Sequence, residues 1–421
     1  MLPTRLAIVV LSLFHFSQIV CFAATPDPLK DWPVWRGPNA NGKAADNQKP
    51  PTSFGENQNV QWKVPVPGRG HSSPVILGDQ IFLTTADEQR QVQGVICFDK
   101  NSGKQLWVTP VHKGNFPAQI HKKNTHASGS VATNGESIFT VFYNQGQIKV
   151  SALSLDGKPL WSKSAGSFNP KKYKFGYGAS PLLYKDMVIA SGESDNGSFI
   201  TALDQKSGES GWKIPRRADI SFSSPIVANI ANRDQLLISG LFEVSSYDPN
   251  NGRKLWSVPG TTQATCGTMV WDGETVFASG GYPEAQTIAV KADGSEVLWK
   301  NKQKCYEQSM LAHDGYVYGY TDGGIAVCWR AIDGREMWKT RLGGNVSASP
   351  ILANGNIYLA NEAGDIFIFK ATPESYQQVS KTRLGNDIFP TPAFVDNKIF
   401  YRVGANNGQQ RQEYLYCISE D

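Results

Sequence analysis

The chain is poor in the features that usually announce chemistry. It has 6 histidines, 5 methionines and 6 cysteines in 421 residues. Apart from Cys21, the cysteines are Cys97, Cys266, Cys305, Cys328 and Cys417, with no CxxC spacing, so neither a zinc site nor a disulfide framework is indicated. A pairing of Cys266 with Cys305 stays open. HExxH, GxSxG, GxGxxG and a P-loop are all missing. Charge of one sign is missing too, since 41 basic residues face 37 acidic ones for a net +4, and no nucleic-acid partner is expected. Beyond the first residues no apolar run is long enough to cross a bilayer. What remains is a chain with 40% hydrophobic residues, which can bury a large core, and with 40 glycines and 24 prolines spread too evenly for long helices.

Residues 1–24 read as a secretory signal: Arg5, the apolar stretch Leu6 to Phe14, and the small pair Ala23-Ala24 for cleavage. His15, Ser17 and Gln18 interrupt the apolar stretch, which argues against a retained anchor. Val20 is a poor lead-in for lipid attachment at Cys21. The mature protein is expected in the periplasm or cell envelope, as a monomer.

A repeat organises the rest. Trp62, Trp107, Trp161, Trp212, Trp256, Trp299 and Trp338 recur at spacings of 39 to 54 residues, with Val379 in the next slot. Most follow an Asp/Gly turn such as DKNSGKQLW from Asp99, DQKSGESGW from Asp204 or DPNNGRKLW from Asp248. Asp accepts amide hydrogen bonds in such turns and Gly supplies the positive φ. Between the tryptophans lie eight apolar hairpins, among them SSPVILGDQIFLTT from Ser72 and ASPILANGNIYLA from Ala348. Four antiparallel strands per repeat and eight repeats predict an all-β, eight-bladed β-propeller. The strand around Trp62 is expected to complete the last blade against Tyr414 to Ile418. The division is then a signal at 1–24, an N-terminal extension at 25–57 and the propeller at 58–421. The DWPVWRGP segment, with Trp32 and Trp35, is expected to cap a propeller surface or to offer an aromatic contact.

The Asp/Gly turn leading to Trp, followed by Ser-Pro, resembles the PQQ-binding-like repeat of the quinoprotein alcohol dehydrogenase superfamily, which includes BamB-like proteins. The opening DWPVWRGPNANG and the run PGRGHSSP resemble exported PQQ-like propellers. For an enzyme of this kind the resemblance implies PQQ held between a Trp platform and a vicinal Cys-Cys disulfide, with calcium and a carboxylate base. No adjacent Cys pair exists here. The expected function is therefore a non-catalytic binding or scaffold protein of the cell envelope, BamB-like or glycan-associated, without cofactor. A quinoprotein dehydrogenase using PQQ and calcium is the alternative.

Candidate site residues follow from aligning the eight hairpins on their Pro or its equivalent. Five places before it stand Arg69, His126, Asn345 and Asp387, and three before it stand His71, Ser128, Gly178, Phe222, Cys266, Glu307, Ser347 and Phe389. Arg69, His71, His126, Tyr177, Glu307, Asn345 and Asp387 are the candidate channel-mouth residues. Glu307, Asn345 and Asp387 offer hard oxygens and are the weak candidates for a cation. The connections after Trp107 and Trp161 take 24 and 20 residues to the next Pro-equivalent, against 11 to 13 elsewhere. With the adjoining connection they carry a basic face of Lys113, Lys122, Lys123, Lys171, Lys172, Lys174, Arg216 and Arg217, suited to an envelope protein, an acidic glycan or another anionic ligand.

Overall fold

A computed structural model describes residues 25–406 and 408–420. The expected signal segment and Cys21 lie outside the described residues. Among the described residues there are 32 strands and no helix, arranged as eight four-stranded antiparallel sheets. Each of the eight predicted hairpins supplies the inner two strands of one sheet, and the strand bearing Trp, or Val379 in blade seven, is the outermost. The last blade pairs Val60–Val66 with Arg411–Ile418, from Val60 opposite Ile418 to Val66 opposite Glu413. The two ends of the propeller are thus zipped into one sheet.

The repeated Trp and the Asp/Gly turn are two halves of one contact. Trp62, Trp107, Trp161, Trp212, Trp299 and Trp338 each donate their indole N–H to a carbonyl in the turn of the next blade, at 2.7 to 3.2 Å. Gly103, with φ of +70°, lies so close that an added Cβ would sit 2.7 Å from the Trp62 ring, and Gly208 stands in the same relation to Trp161. These turns need glycine for both conformation and space. Asp99 accepts the Ser102 amide at 2.8 Å, and Asp204 accepts the Ser207 amide at 2.7 Å, as the turn reading requires.

A second set of contacts closes the inner ring. The residue just before each Pro-equivalent is Ser or Thr, and these eight side chains form a belt. The amides of Ser73, Ser130 and Ser180 donate to the hydroxyls of Ser130, Ser180 and Ser224. Those of Thr268, Ser309, Ser349 and Thr391 donate to Ser309, Ser349, Thr391 and Ser73. Between blades four and five the bond is reversed, the Thr268 hydroxyl donating to the Ser224 carbonyl at 2.8 Å. Every blade is thereby bonded to both neighbours at the channel wall.

The N-terminal extension is a strap across this ring. Trp32 pairs with Ile76 of blade one, the Pro33 carbonyl accepts the Thr133 amide of blade two, the Arg36 guanidinium donates to the Met310 carbonyl at the start of blade six, and Ala44 bonds Leu352 of blade seven. Trp32 is fully buried, its ring 6.0 Å from that of Phe394. Further along, the Thr52 and Phe54 carbonyls accept the Ser380 and Thr382 hydroxyls, and Phe54 packs 6.4 Å from Tyr401. That segment lies against the blade whose Trp slot holds Val379.

Replacing Ser309 by Ala leaves the buried Thr268 amide without an acceptor. The expected cost is about 1–3 kcal/mol in urea unfolding, with the far-ultraviolet spectrum unchanged. A change below the error of the measurement would show that the belt bond contributes nothing.

Candidate functional site

The eight lead-in segments, each running from an outermost strand to the next innermost one, converge at one end of the channel on a cavity of about 330 Å³. Every residue three places before the Pro-equivalent lines it: His71, Ser128, Gly178, Phe222, Cys266, Glu307, Ser347 and Phe389. The two long insertions add His121, Lys123, Asn124 and Phe175, while Trp35 closes the cavity from the side of the strap. Trp35, Phe175, Phe222, Tyr306 and Phe389 supply its aromatic walls.

The polar centre is built around Lys123. Its ammonium donates to Glu362 at 2.8 Å and to both oxygens of Glu307 at 3.2 Å. Burial opposes that charge, but the Glu362 hydrogen bond and the charges of both carboxylates outweigh it and hold the group above its ordinary value. Ser347 Oγ lies 2.5 Å from Glu307 and 2.8 Å from Glu362. The lead-in to blade six and blade seven are thus tied to the insertion that leads into blade two.

His71 stacks flat on Phe389, with ring centroids 4.2 Å apart and planes 5° apart. Burial first, then the charges of Arg411, Arg402 and Arg69, push its imidazole well below the usual histidine range, so the ring is neutral. Its Nε2 is buried without a hydrogen-bond partner.

Outside the cavity, a groove of about 380 Å³ is lined by Lys122, Lys171, Lys172 and Lys174 together with His121 and Phe175. Those four lysines are exposed, and none has a carboxylate within ion-pair distance among the described residues. The Asp195 carboxylate nearby accepts the backbone amides of Lys171 and Lys172 at 2.9 Å. Tyr173 braces this insertion through a 2.8 Å hydroxyl contact to Tyr282 of blade five's turn.

Several sequence-derived candidates lie elsewhere. Arg69 and His126 line a neighbouring groove; Arg69 lies 3.9 Å from Glu88, and His126 stacks on Phe116. Tyr177 turns into the blade core against Phe168 and donates to the Ser191 carbonyl at 2.8 Å. Asn345 is off the cavity, its carbonyl taking the Glu362 amide. Asp387 is ion-paired with Arg411, which also holds Glu413 at 2.5 Å. Glu307, Asn345 and Asp387 therefore do not converge, and among the described residues no group of three or more His, Cys, Asp or Glu is placed to hold a metal. In the basic set, Lys123 faces inward and Lys113 stands exposed at a strand end. Arg217 lies over the Phe242 ring. Arg216 is not on the face at all: its side chain is buried against Glu193 at 2.6 Å and Tyr247 at 2.7 Å, because its strand turns it into the blade. Cys266 and Cys305 are free thiols; the first lines the cavity and the second packs among Phe277, Ala289 and Trp329.

With this geometry in place, the sequence family follows. The model of the outer membrane protein assembly factor BamB family matches residues 91–340 and 310–372. The chain belongs to the BamB family. No curated protein matches it by sequence. Among solved structures it is similar to a europium-containing methanol dehydrogenase, with a TM-score of 0.68, 10% identity, and coverage of 94% of this chain and 98% of that one. BamB from Moraxella catarrhalis gives 0.59 at 16% identity over 86% of this chain and 97% of that one. The quinohemoprotein alcohol dehydrogenase from Comamonas testosteroni gives 0.65 at 11% over 93% and 81%. Such identities speak for the shared propeller fold alone.

The residues of this BamB-family propeller do not fit PQQ with calcium. Trp35 could serve as an aromatic platform, but there is no vicinal cysteine pair, and the cavity carboxylate Glu307 is already bonded to the Lys123 ammonium, which Glu362 shares. A divalent cation would have to displace that charge, and Asp387 is held by Arg411.

Histidine burial sets a pH dependence. Burial, with Lys149 nearby, lowers the His112 imidazole to about 4, and His71 and His126 shift in the same direction. The unfolded chain takes up these protons near pH 6.5 while the folded one does not. Stability is therefore full above 6.5 and is lost as pH falls towards 4. Urea midpoints measured over that window should fall, and less steeply in His112→Asn; identical slopes would contradict this.

Proposed function

We propose that this BamB-family propeller is an exported, non-catalytic protein of the cell envelope that docks a partner on the crown formed by its two long insertions and the axial cavity. The observation that carries this reading is the Lys123 ammonium bonded to both Glu307 and Glu362. It gives the cavity a completed internal ion cluster where metal-dependent quinone chemistry would need free hard oxygens. The four unpaired lysines on the rim support docking, because uncompensated like charges attract an anionic partner and raise its encounter rate. Envelope placement is supported by the family and by the character of residues 1–24. Among the described residues no helix is long and apolar enough to cross a membrane.

The quinoprotein reading keeps one observation in its favour, an aromatic cavity with Trp35 at its base in a fold shared with quinoprotein dehydrogenases. The two readings separate in one comparison. The intact protein and a variant with Lys122, Lys171, Lys172 and Lys174 changed to Glu are purified from the native envelope, and the purified protein is also incubated with PQQ and calcium. Docking predicts a stoichiometric envelope partner that is lost from the variant, and no dye-linked alcohol oxidation. Oxidation that depends on PQQ and calcium, or a partner retained at full occupancy by the variant, would overturn the reading.

A further inference from the structure

The axial cavity and the lysine groove are not separate features. His121 and Phe175 line both, and these rings, 5.0 Å apart at 63°, form the wall they share. We propose that cavity and groove form one binding site for an acidic polypeptide segment carrying a tyrosine or tryptophan, whose ring enters the cavity while the flanking carboxylates lie on Lys122, Lys171, Lys172 and Lys174. The proposal rests on the docking reading above and specifies the partner's chemistry.

Three properties of the site select this ligand. First, Phe175, Phe222, Phe389 and Trp35 line a cavity of about 330 Å³, which has room for a planar side chain and its neighbours, and aromatic faces hold such a ring by offset or edge contacts. Second, the cavity is not wholly apolar: Asn124, Ser128 and Ser347 line it beside the His71 ring, which is held flat on Phe389. A tyrosine hydroxyl or an indole N–H can pair with such groups, whereas phenylalanine or an aliphatic chain leaves them unmet. Third, charge is divided between the two compartments. Glu307 lines the cavity, and its Lys123 partner is already shared with Glu362, so the cavity offers a ligand carboxylate no free cation, while the groove offers four ammonium groups with no ion-pair partner among the described residues. A segment with a neutral aromatic donor flanked by acids meets both requirements at once.

An acidic oligosaccharide or an anionic lipid would meet the same lysines, and these are the competing occupants that the test separates.

The test uses the mature chain and a fluorescently labelled peptide with one central tyrosine between runs of glutamate. Its counterparts carry phenylalanine at the centre or glutamine in place of every glutamate. The tyrosine peptide should bind, with affinity falling as salt is raised. Both counterparts should bind about tenfold more weakly or less. Lys171→Glu with Lys172→Glu, both exposed, should lower affinity by about tenfold while leaving the melting temperature unchanged. The comparison of the tyrosine and phenylalanine peptides on the wild-type chain decides the point about the cavity. Equal binding of the tyrosine and phenylalanine peptides, indifference to the lysine substitutions, or stronger competition by an acidic oligosaccharide or by anionic phospholipid vesicles would overturn the proposal. Failure here, with partner loss from the crown variant still seen, sinks only the assigned ligand; PQQ-dependent oxidation sinks the docking reading itself.

Discussion

Everything in this structure depends on a ring of hydrogen bonds about the channel axis, in which each blade passes a bond from a backbone amide or a hydroxyl to its neighbour through one Ser or Thr. A four-stranded sheet cannot bury both faces alone, so each blade is stable only between two others. The belt fixes the inner edge of that stack, the Trp and Gly contacts fix the outer edge, and the pairing of Val60–Val66 with Arg411–Ile418 removes the last open seam. A buried ion network reinforces the seam. Arg402 bonds Glu413 at 2.6 Å and also reaches the Ser72 hydroxyl and the Thr84 carbonyl, while Glu413 accepts the Gly70 amide. Pairs so deeply buried contribute less to net stability than to the exact mating of blade eight with blade one, since their desolvation offsets much of their attraction.

The belt also explains where function can reside. Because the residue before each Pro-equivalent is committed to the ring, the position two places earlier is the one free to face the axis, and all eight such residues line the cavity. Architecture and recognition are thus interleaved along one short segment. The strap completes the arrangement by bringing Trp35 and Arg36 inside the ring. Arg36 is fully buried, and burial lowers its guanidinium to about 9, with only the Met310 and Asn41 carbonyls as partners. Lys123 plays the opposite part, entering from the crown and bonding the two carboxylates that the blades present.

Much of this was legible in the sequence because repetition averages out local ambiguity. The Asp/Gly turn, the Trp slot and the eight hairpins each recur, so the blade count, the strand count and the N-terminal closure follow from pattern alone, as does the ring that includes His71, Glu307 and Phe389. What escaped is what does not repeat. Glu362 sits in a hairpin turn between the strands Asn356–Ala360 and Asp365–Lys370, where a polar residue carries no signal of its own. Arg216 and Asp387 read as free charges because sequence does not reveal that Glu193 and Arg411 meet them. Lys123 is indistinguishable in sequence from its neighbour Lys122, although one turns into the cavity and the other into the groove. Trp35 stood out as an aromatic of the extension, but that it closes the cavity depends on how the strap crosses the ring.

The central claim, that the belt unites eight sheets into one cooperative ring, is tested most directly by native-state hydrogen exchange at the amides of Ser73, Ser130, Ser180, Thr268, Ser309, Ser349 and Thr391. These protons should exchange only through global unfolding, with the same free energy and the same dependence on denaturant at every position. Exchange of some of them through separate openings of lower free energy would contradict the account, because the blades would then be stable without the ring.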